Sequence, residues 1–344
     1  MNAPQEQTSK PLAIWLFICA AMVFAMMVIG AITRLSESGL SMVEWRPLIG
    51  TLPPMNEAEW NRVFDLYQHS PEFQKKHFWM ELGDFKKIFF WEWLHRLWGR
   101  SIGLVFALPL AFFWIRGSIP KGYHVKLLGM LVLGGAQGFM GWYMVKSGLV
   151  DIPAVSHFRL AAHLSLAFLI SALLLWLGLS VWGAQKRPSK ALFLHGLGVL
   201  TLVSITIVWG AFTAGLDAGL LYNDSFPKMG GLWIPPEVTS AGSLLKDPAS
   251  VQFAHRWLAL ISAAALLSLW AHAVIFKKRG FWALHALALM ALLQPTLGVL
   301  TLFSGVHLHI AAAHQAGAIL TFALLIISLH AFYPKVSRNS GHQS

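Results

Sequence analysis

The sequence contains few charged residues and a single cysteine, and both shortages limit what the protein can be. Charged residues make up 12% of the 344 positions, against roughly 25% in an ordinary soluble domain. This composition excludes a water-soluble globular protein. The only cysteine, Cys19, lies inside an apolar stretch, so an intramolecular disulfide or a thiolate metal cluster is impossible. The chemistry must therefore depend on histidines, carboxylates or a bound cofactor.

Long apolar runs are abundant instead. A membrane-spanning helix needs about 20 apolar residues, and such long runs are typical of helices rather than of alternating barrel strands. The first run is too long for a signal-peptide core and shows no clear cleavage motif, so we interpret it as a retained span. The eight predicted spans are residues 12–33, 97–115, 125–145, 160–182, 191–213, 256–276, 281–303 and 310–332.

The basic residues indicate the orientation of these spans. Twelve of them lie on one side, where Glu6 is the only acid. The positive-inside rule places this side, with both termini, in the cytoplasm of a bacterial inner membrane protein. Because the bases are spread over five separate ends and turns, we do not expect a nucleic-acid patch. They are Lys10, Arg116, Lys121, Lys126, Lys186, Arg187, Lys190, Lys277, Lys278, Arg279, Lys335 and Arg338.

The two halves of the chain repeat one another. Matched motifs occur in the same order in each half, and both copies start on the cytoplasmic side, which is typical of a parallel repeat. We predict an all-α membrane protein with eight transmembrane helices, arranged as two tandem, parallel-repeat four-helix bundles. The matches are GAIT at 30–33 with GAFT at 210–213, ESGL at 37–40 with DAGL at 217–220, His95-Arg96 with His255-Arg256, Gln137 with Gln294, Ser147-Gly148 with Ser304-Gly305, and AAH at 161–163 with AAH at 312–314.

The repeat also divides the chain into segments. An N-terminal bundle and a C-terminal bundle each include one longer exported segment, and the tails and the linker between the bundles are cytoplasmic. The predicted bounds are a tail at 1–11, a bundle at 12–182 with exported segment 34–94, a linker at 183–190, a bundle at 191–333 with exported segment 215–254, and a tail at 334–344.

Four of the 15 histidines lie in the first turns of an even-numbered span and recur in the other half. Two neutral imidazoles facing each other across a bundle can ligate a haem iron in both axial positions. Ionisable groups inside spans are costly and usually functional. We therefore predict two axial pairs, His95 with His163 and His255 with His314. The alternative is that they are duplicated packing residues. A zinc site is disfavoured, because no third ligand recurs beside each pair.

The residues next to the first ligand of each pair differ between the halves. Glu92 lies three residues before His95, on the same face if the helix extends that far, whereas Gln252 takes the matching place. We expect Glu92 to act as a base or as an electrostatic stabiliser beside a reacting molecule; the alternative is a solvated charge. Arg96 and Arg256 can pair with haem propionates, with interfacial anchoring as the alternative.

The other histidines have weaker signals. His157, His307 and His309 lie near exported span ends without clean repeat partners, and can serve as alternative ligands or propionate partners. An intramembrane histidine usually finds a hydrogen-bond partner. We expect ordinary hydrogen-bonded, interfacial or solvated roles for His69, His77, His124, His195, His272, His285, His330 and His342.

Several long motifs resemble those of the haem A synthases, in the bacterial and mitochondrial subtype that lacks loop cysteines. The resemblance covers most of the chain, and Cys19 cannot supply the cysteine pair of the other subtype. The motifs are GAITRLSESGLSMVEWRP at 30–47, LPP at 52–54 followed by EAEW at 57–60, FWEWLHRLWGR at 90–100, and AGLDAGLLYND at 214–224 followed by FPKM at 226–229.

The resemblance implies an oxidoreductase acting on a methyl group. Such enzymes oxidise the C8 methyl of haem O to a formyl group in successive hydroxylations, which gives haem A for cytochrome oxidase. It implies that His95 and His163 bind haem O, that His255 and His314 bind haem b, and that Glu92 is the family's loop glutamate. It also implies association with haem O synthase, the farnesyltransferase that supplies the substrate.

Two other functions fit the repeat. A di-haem b-type electron-transfer cytochrome would use the same histidine pairs without needing Glu92. A haem or quinone transporter would need broken helices in matching positions, and Pro295 has only Gly138 as its counterpart. The sequence leaves open the electron-transfer partner, the source of the formyl oxygen and whether the protein forms a homo-oligomer.

Overall fold

A computed structural model describes residues 8–44, 51–146 and 154–334. Eight helices in these residues are long and apolar enough to cross a membrane, which confirms the predicted number of spans. Two shorter helices, α2 and α7, lie between them. The helices are α1 (Lys10–Leu35), α2 (Glu57–Gln68), α3 (Leu82–Ile115), α4 (His124–Lys146), α5 (His157–Trp182), α6 (Lys190–Gly215), α7 (Ser243–Lys246), α8 (Pro248–Ala271), α9 (Trp282–Phe303) and α10 (Leu308–Phe332).

Some sequence predictions fall outside the described residues. These are most of the N-terminal tail, the Trp45–Pro47 end of the first motif, Ser147-Gly148 of the repeat, and Lys335, Arg338 and His342 of the C-terminal tail.

Two of the spanning helices begin earlier than their apolar stretches. α3 begins at Leu82 and α8 at Pro248, so both extend several turns into the exported segments. Asp247 caps α8 by accepting a hydrogen bond from the Ser250 amide at 2.8 Å, and proline at the first helical position suits a helix start. His95 and His255 therefore lie inside continuous helices, and Glu92 belongs to the same helix as His95.

The early part of α3 is helical because it has its own apolar contacts. Phe85 and Phe89 are buried against Tyr67 and Trp60 of α2, with the Phe85 and Tyr67 rings 5.1 Å apart. Burial of a large aromatic side chain contributes about 1.5–3 kcal/mol. These aromatic contacts hold α2 against the first turns of α3.

Helices that the repeat relates make equivalent contacts. In the first half α1 packs on α3 and α5, and α4 packs on α5; in the second half α6 packs on α8 and α10, and α9 packs on α10. Contacts between the halves are made by α1, α5, α6 and α10, where the Phe168 and Phe322 rings lie 5.0 Å apart. The division into two bundles, with the bounds given above, stays a prediction.

Polar contacts join the halves at both ends. At the end of the spans where α1 ends, Arg34 donates to the Asp217 carboxylate at 2.8 Å and also to the Ala214 carbonyl. At the other end the linker between α5 and α6 runs beside the end of α10, where the Arg187 amide donates to the Ala331 carbonyl at 2.7 Å. Ala214 and Asp217 are the repeat counterparts of Arg34 and Glu37 at the offset of 180 residues. Arg34 therefore contacts the matching segment of the second half.

Candidate functional site

The four candidate ligands lie on α3, α5, α8 and α10. His95 lies close enough to His163 for a charge on one ring to affect the other, and the same holds for His255 and His314. The fold therefore places the members of each predicted pair near each other. Each side chain is partly buried. The two sites are therefore formed by distant parts of the chain, one in each half.

Each of these imidazoles lies against a glycine of a neighbouring helix. A Cβ atom added at Gly30, Gly141 or Gly298 would lie 3.1 Å from the Cε1 atom of the facing histidine, and one at Gly210 would lie 2.9 Å away. Carbon atoms in good contact are about 3.5–4.0 Å apart, so a larger residue would displace the ring. The facing pairs are Gly30 with His95, Gly141 with His163, Gly210 with His255 and Gly298 with His314.

The imidazoles have few hydrogen bonds. The Nδ1 atoms of His95, His163 and His255 are buried, and each lacks a hydrogen-bond partner in the part of the chain that the structure describes. Buried polar atoms are normally paired. Packing within the described chain therefore does not account for these three nitrogen atoms, which makes the histidines candidates for ligands.

A glutamine accompanies the second histidine of each pair. Gln137 Nε2 donates to the His163 carbonyl at 3.1 Å, and Gln294 Nε2 donates to the His314 carbonyl at 2.9 Å. The Gln294 amide nitrogen also lies 3.2 Å from His314 Nδ1. These contacts hold α4 against α5 and α9 against α10 at the level of the histidines.

Glu92 is buried, not solvated. Its Oε2 accepts hydrogen bonds from the Ser41 hydroxyl at 2.7 Å and the Met42 amide at 2.6 Å, and its Oε1 accepts one from Arg96. The Glu92 residue is 3% exposed. The ordinary alternative, a solvated loop charge, is therefore wrong, and the carboxylate is held in one position one helical turn from His95.

Arg96 completes this arrangement. It donates to the Met42 carbonyl at 3.0 Å and to the Glu44 carbonyl at 3.3 Å, so Arg96 and Glu92 together hold the loop that follows α1. Arg side chains provide several donors in a fixed plane, which suits this multiple contact.

The second half repeats this arrangement without the negative charge. Arg256 donates to the Tyr222 carbonyl at 2.8 Å and to Gln252 Oε1 at 3.0 Å. Gln252 in turn donates to the Ala218 and Leu221 carbonyls, both at 2.7 Å. Tyr222 matches Met42 at the offset of 180 residues. In both sites an arginine therefore holds the backbone of a neighbouring loop. Glu92 hydrogen-bonds the arginine of the first site and Gln252 that of the second, where Asp224 also interacts electrostatically with Arg256.

A second buried polar group lies in the exported segment. The Tyr67 hydroxyl donates to Glu72 at 3.0 Å and lies 2.7 Å from His77 Nδ1, while His77 Nε2 lies 3.0 Å from Glu37. Burial raises the pKa of Glu72 to about 7. The hydrogen bond with His77 lowers the pKa of Glu37 to about 2. His77 is 4% exposed, which its polar sequence surroundings did not indicate.

The lower-ranked histidines lie elsewhere. His157 Nε2 meets the Leu245 carbonyl at 2.9 Å, and His307 and His309 are exposed, with ring centres 5.5 Å apart. The hydrogen-bonded role expected for several others is confirmed. The contacts are His195 with His272 at 3.0 Å, His285 with Trp270 at 3.2 Å, and His330 with Ser180 at 3.0 Å and Lys186 at 2.9 Å.

The residues present fit two haems. Each site has two imidazoles against glycines of apolar helices, and an arginine directly follows the first histidine of each pair. Within the described ranges, no group of three or more His, Cys, Asp or Glu side chains is arranged to hold a metal ion. The glycine contacts were missed from the sequence, although Gly30 and Gly210 repeat at 180 residues and Gly141 and Gly298 repeat at 157.

Known proteins resemble this chain along most of its length. Residues 13–326, which include both histidine pairs, match the COX15-CtaA family, described as cytochrome oxidase assembly protein. The chain is 47% identical to a protein of Rhodospirillum centenum named heme A synthase, over 96% of this chain and 91% of that one. Proteins of the same name from Nitrosospira multiformis and Caulobacter vibrioides are 44% and 43% identical, over 91% and 97% of this chain and 91% and 98% of theirs.

Proposed function

This chain belongs to the COX15-CtaA family of cytochrome oxidase assembly proteins, and on that premise we propose that it is a haem A synthase. It oxidises the C8 methyl group of haem O to a formyl group. Two successive hydroxylations, each a two-electron oxidation of the carbon, give a hydrate that loses one water to leave the formyl group, and the electrons are exchanged with an electron-transfer partner. The protein works in the bacterial inner membrane with both termini in the cytoplasm, and receives its substrate from haem O synthase.

The two sites have different tasks in this proposal. His95 and His163 hold haem O as the substrate, and His255 and His314 hold haem b as the cofactor. The observation that carries this assignment is the side chain that hydrogen-bonds the arginine next to each pair, the carboxylate of Glu92 in the first half and the amide of Gln252 in the second. A reaction that transfers protons needs an ionisable group where the substrate binds. A site that only transfers electrons does not need one.

The residues of the first site bind, orient and stabilise. The two imidazoles fix the height and tilt of the substrate, because each ring is held against a glycine. Glu92 is fixed by three donors and supplies a negative charge, as a base or as an electrostatic stabiliser. Haem b, when bound at the second site, supplies electron transfer. Arg96 and Arg256 hold the loops of their halves by donating to backbone carbonyls, and we propose that haem propionates bind next to these two cations.

Histidine substitutions test the assignment of sites. We expect His255→Ala or His314→Ala to remove the bound haem b. We expect His95→Ala or His163→Ala to abolish haem A formation while largely sparing that haem. Pigment extraction from purified protein measures both results, and His69→Ala, at an exposed position outside both pairs, is the matched control. Loss of haem b from the His95 and His163 variants to the same extent would contradict two separate sites.

Glu92→Gln tests the charge while keeping the size and one acceptor oxygen. We expect haem A formation to fall by about 100-fold or more, as for removal of a general acid or base, with haem b retained. Turnover at the wild-type rate would refute a role for the carboxylate.

The second candidate function, a di-haem electron-transfer cytochrome, is separated by substrate addition. Protein is purified from cells that lack haem O, and haem O is then added with an electron acceptor. The synthase converts it to haem A. A cytochrome would fill both sites with haem b and convert nothing.

A further inference from the structure

The inner face of α4 is packed near its first turns and exposed in the middle of the helix. Leu127 and Met130 are buried, at 0% and 5% exposed. Gly134 and Gly138 follow on the same face, because residues three and four apart lie on one side of a helix. Both glycines are exposed, and their Cβ positions have no atom within 4 Å in the described chain. The face that packs tightly near the cytoplasm is therefore open in the middle of the span.

This open face leads to the first histidine pair. Gly141 lies on it, three residues after Gly138, and contacts the His163 ring. Gln137 also lies on it, and its Oε1 is buried without a hydrogen-bond partner among the described residues. With a rise of about 1.5 Å per residue, Gly138 and Gly134 lie about 4.5 and 10.5 Å from Gly141, on the cytoplasmic side.

The second half fills the corresponding space. Gly134 and Gly138 match Ala291 and Pro295 at the offset of 157 residues. Ala291 is 1% exposed and Pro295 is partly buried. The neighbouring helices follow the same contrast, since α8 and α9 pack closely while α3 and α4 contact each other sparsely. Within the described residues, a gap between α3 and α4 thus lies near His163, whereas the matching position near His314 is packed.

We propose that this gap, bounded by Gly134 and Gly138 of α4 and by the facing side of α3, takes the farnesyl-derived chain of the substrate porphyrin. The inference rests on the proposed function. Haem O and haem b differ in this long apolar chain, and the two halves differ in whether a mid-membrane space exists next to the histidines. A chain placed here would be buried among apolar residues and lipid, where its transfer from water is favourable. The haem without the chain matches the half in which side chains occupy the space.

The test fills the gap with a side chain. The test variants are Gly138→Leu and Gly134→Leu. The control is Gly129→Leu on the opposite face of α4, where the Cβ position likewise has no described atom within 4 Å. Full-length protein is titrated with haem O and with haem B, and haem A formation and retained haem b are measured. We expect at least a tenfold rise in the Kd for haem O, since even single methylenes in a filled pocket change binding about 10–200-fold. Haem B binding, retained haem b and the Gly129→Leu variant should not change.

Each result has one meaning. Wild-type haem O affinity in both filled variants overturns the proposal, as does an equal loss of haem O and haem B, which would indicate an obstructed porphyrin plane. If the wild-type protein binds haem O without oxidising it, and only the filled variants lose that binding, the gap is confirmed and the synthase function fails.

Discussion

Adding a single methyl group at Gly210 should weaken the binding of haem b proposed for the second site. The Cβ of Gly210→Ala would lie 2.9 Å from Cε1 of His255, whereas carbon atoms at their optimum are about 3.5–4.0 Å apart. The ring must therefore retreat by about 0.6–1.1 Å. A binding group generally has to stay within about 0.5 Å of its productive position. The added methyl thus moves His255 beyond the range in which it can ligate without strain.

The expected size follows from overpacking. Added carbon in a well-packed interior costs about 1–3 kcal/mol, and each 1.4 kcal/mol is about a tenfold change in affinity. We expect the Gly210→Ala protein to bind haem b roughly 5- to 150-fold more weakly. The assay is the haem b content per chain of purified protein, with the reduced-minus-oxidised absorption spectrum as a second reading.

Gly198→Ala is the control in the same helix. Nothing in the described chain lies within 4 Å of its Cβ position, and alanine favours a helix over glycine by up to about 1 kcal/mol. This variant should keep its haem. If Gly210→Ala also keeps a full complement of haem b with an unchanged spectrum, the contact between Gly210 and His255 does not position a ligand.

Two further predictions concern the Gly30 contact with His95 and the protonation of Glu72. Gly30→Ala places a Cβ 3.1 Å from His95 Cε1, so haem A formation should fall while haem b content, measured on the same sample, stays at the wild-type level. Burial raises the pKa of Glu72 from 4.5 to about 7, so the folded protein holds this proton more tightly than the unfolded chain. The resulting stability, about 3 kcal/mol, is present below pH 4.5 and is lost as the pH rises through 7. The protection factors of the amides in residues 57–94, which are corrected for the intrinsic pH dependence of exchange, should fall over that range. The same pH series on Glu72→Gln should show a weaker fall, and an unchanged fall would rule out Glu72 as the titrating group.

Hydropathy and repetition determined the larger features of this protein. Eight apolar stretches predicted eight spans, because a chain inside lipid must satisfy its backbone hydrogen bonds within each helix. The duplicated His95 and His255 motifs separated candidate ligands from the other histidines without any coordinates. The difference between Glu92 and Gln252 was visible for the same reason, since aligned copies can be compared residue by residue.

Contacts between distant residues decided the rest. Gly30 and His95 are 65 positions apart, and no local pattern indicates that one lies against the other. Two of the three partners of Glu92, Ser41 and Met42, come from the loop after α1. The contacts of the buried His77 are likewise with distant residues, Tyr67 and Glu37. The open face of α4 likewise depends on how far α3 stands from it. Membrane spans follow from the local free energy of transfer into lipid, whereas the fit of a ring, a carboxylate or a chain depends on packing that only the folded helices create.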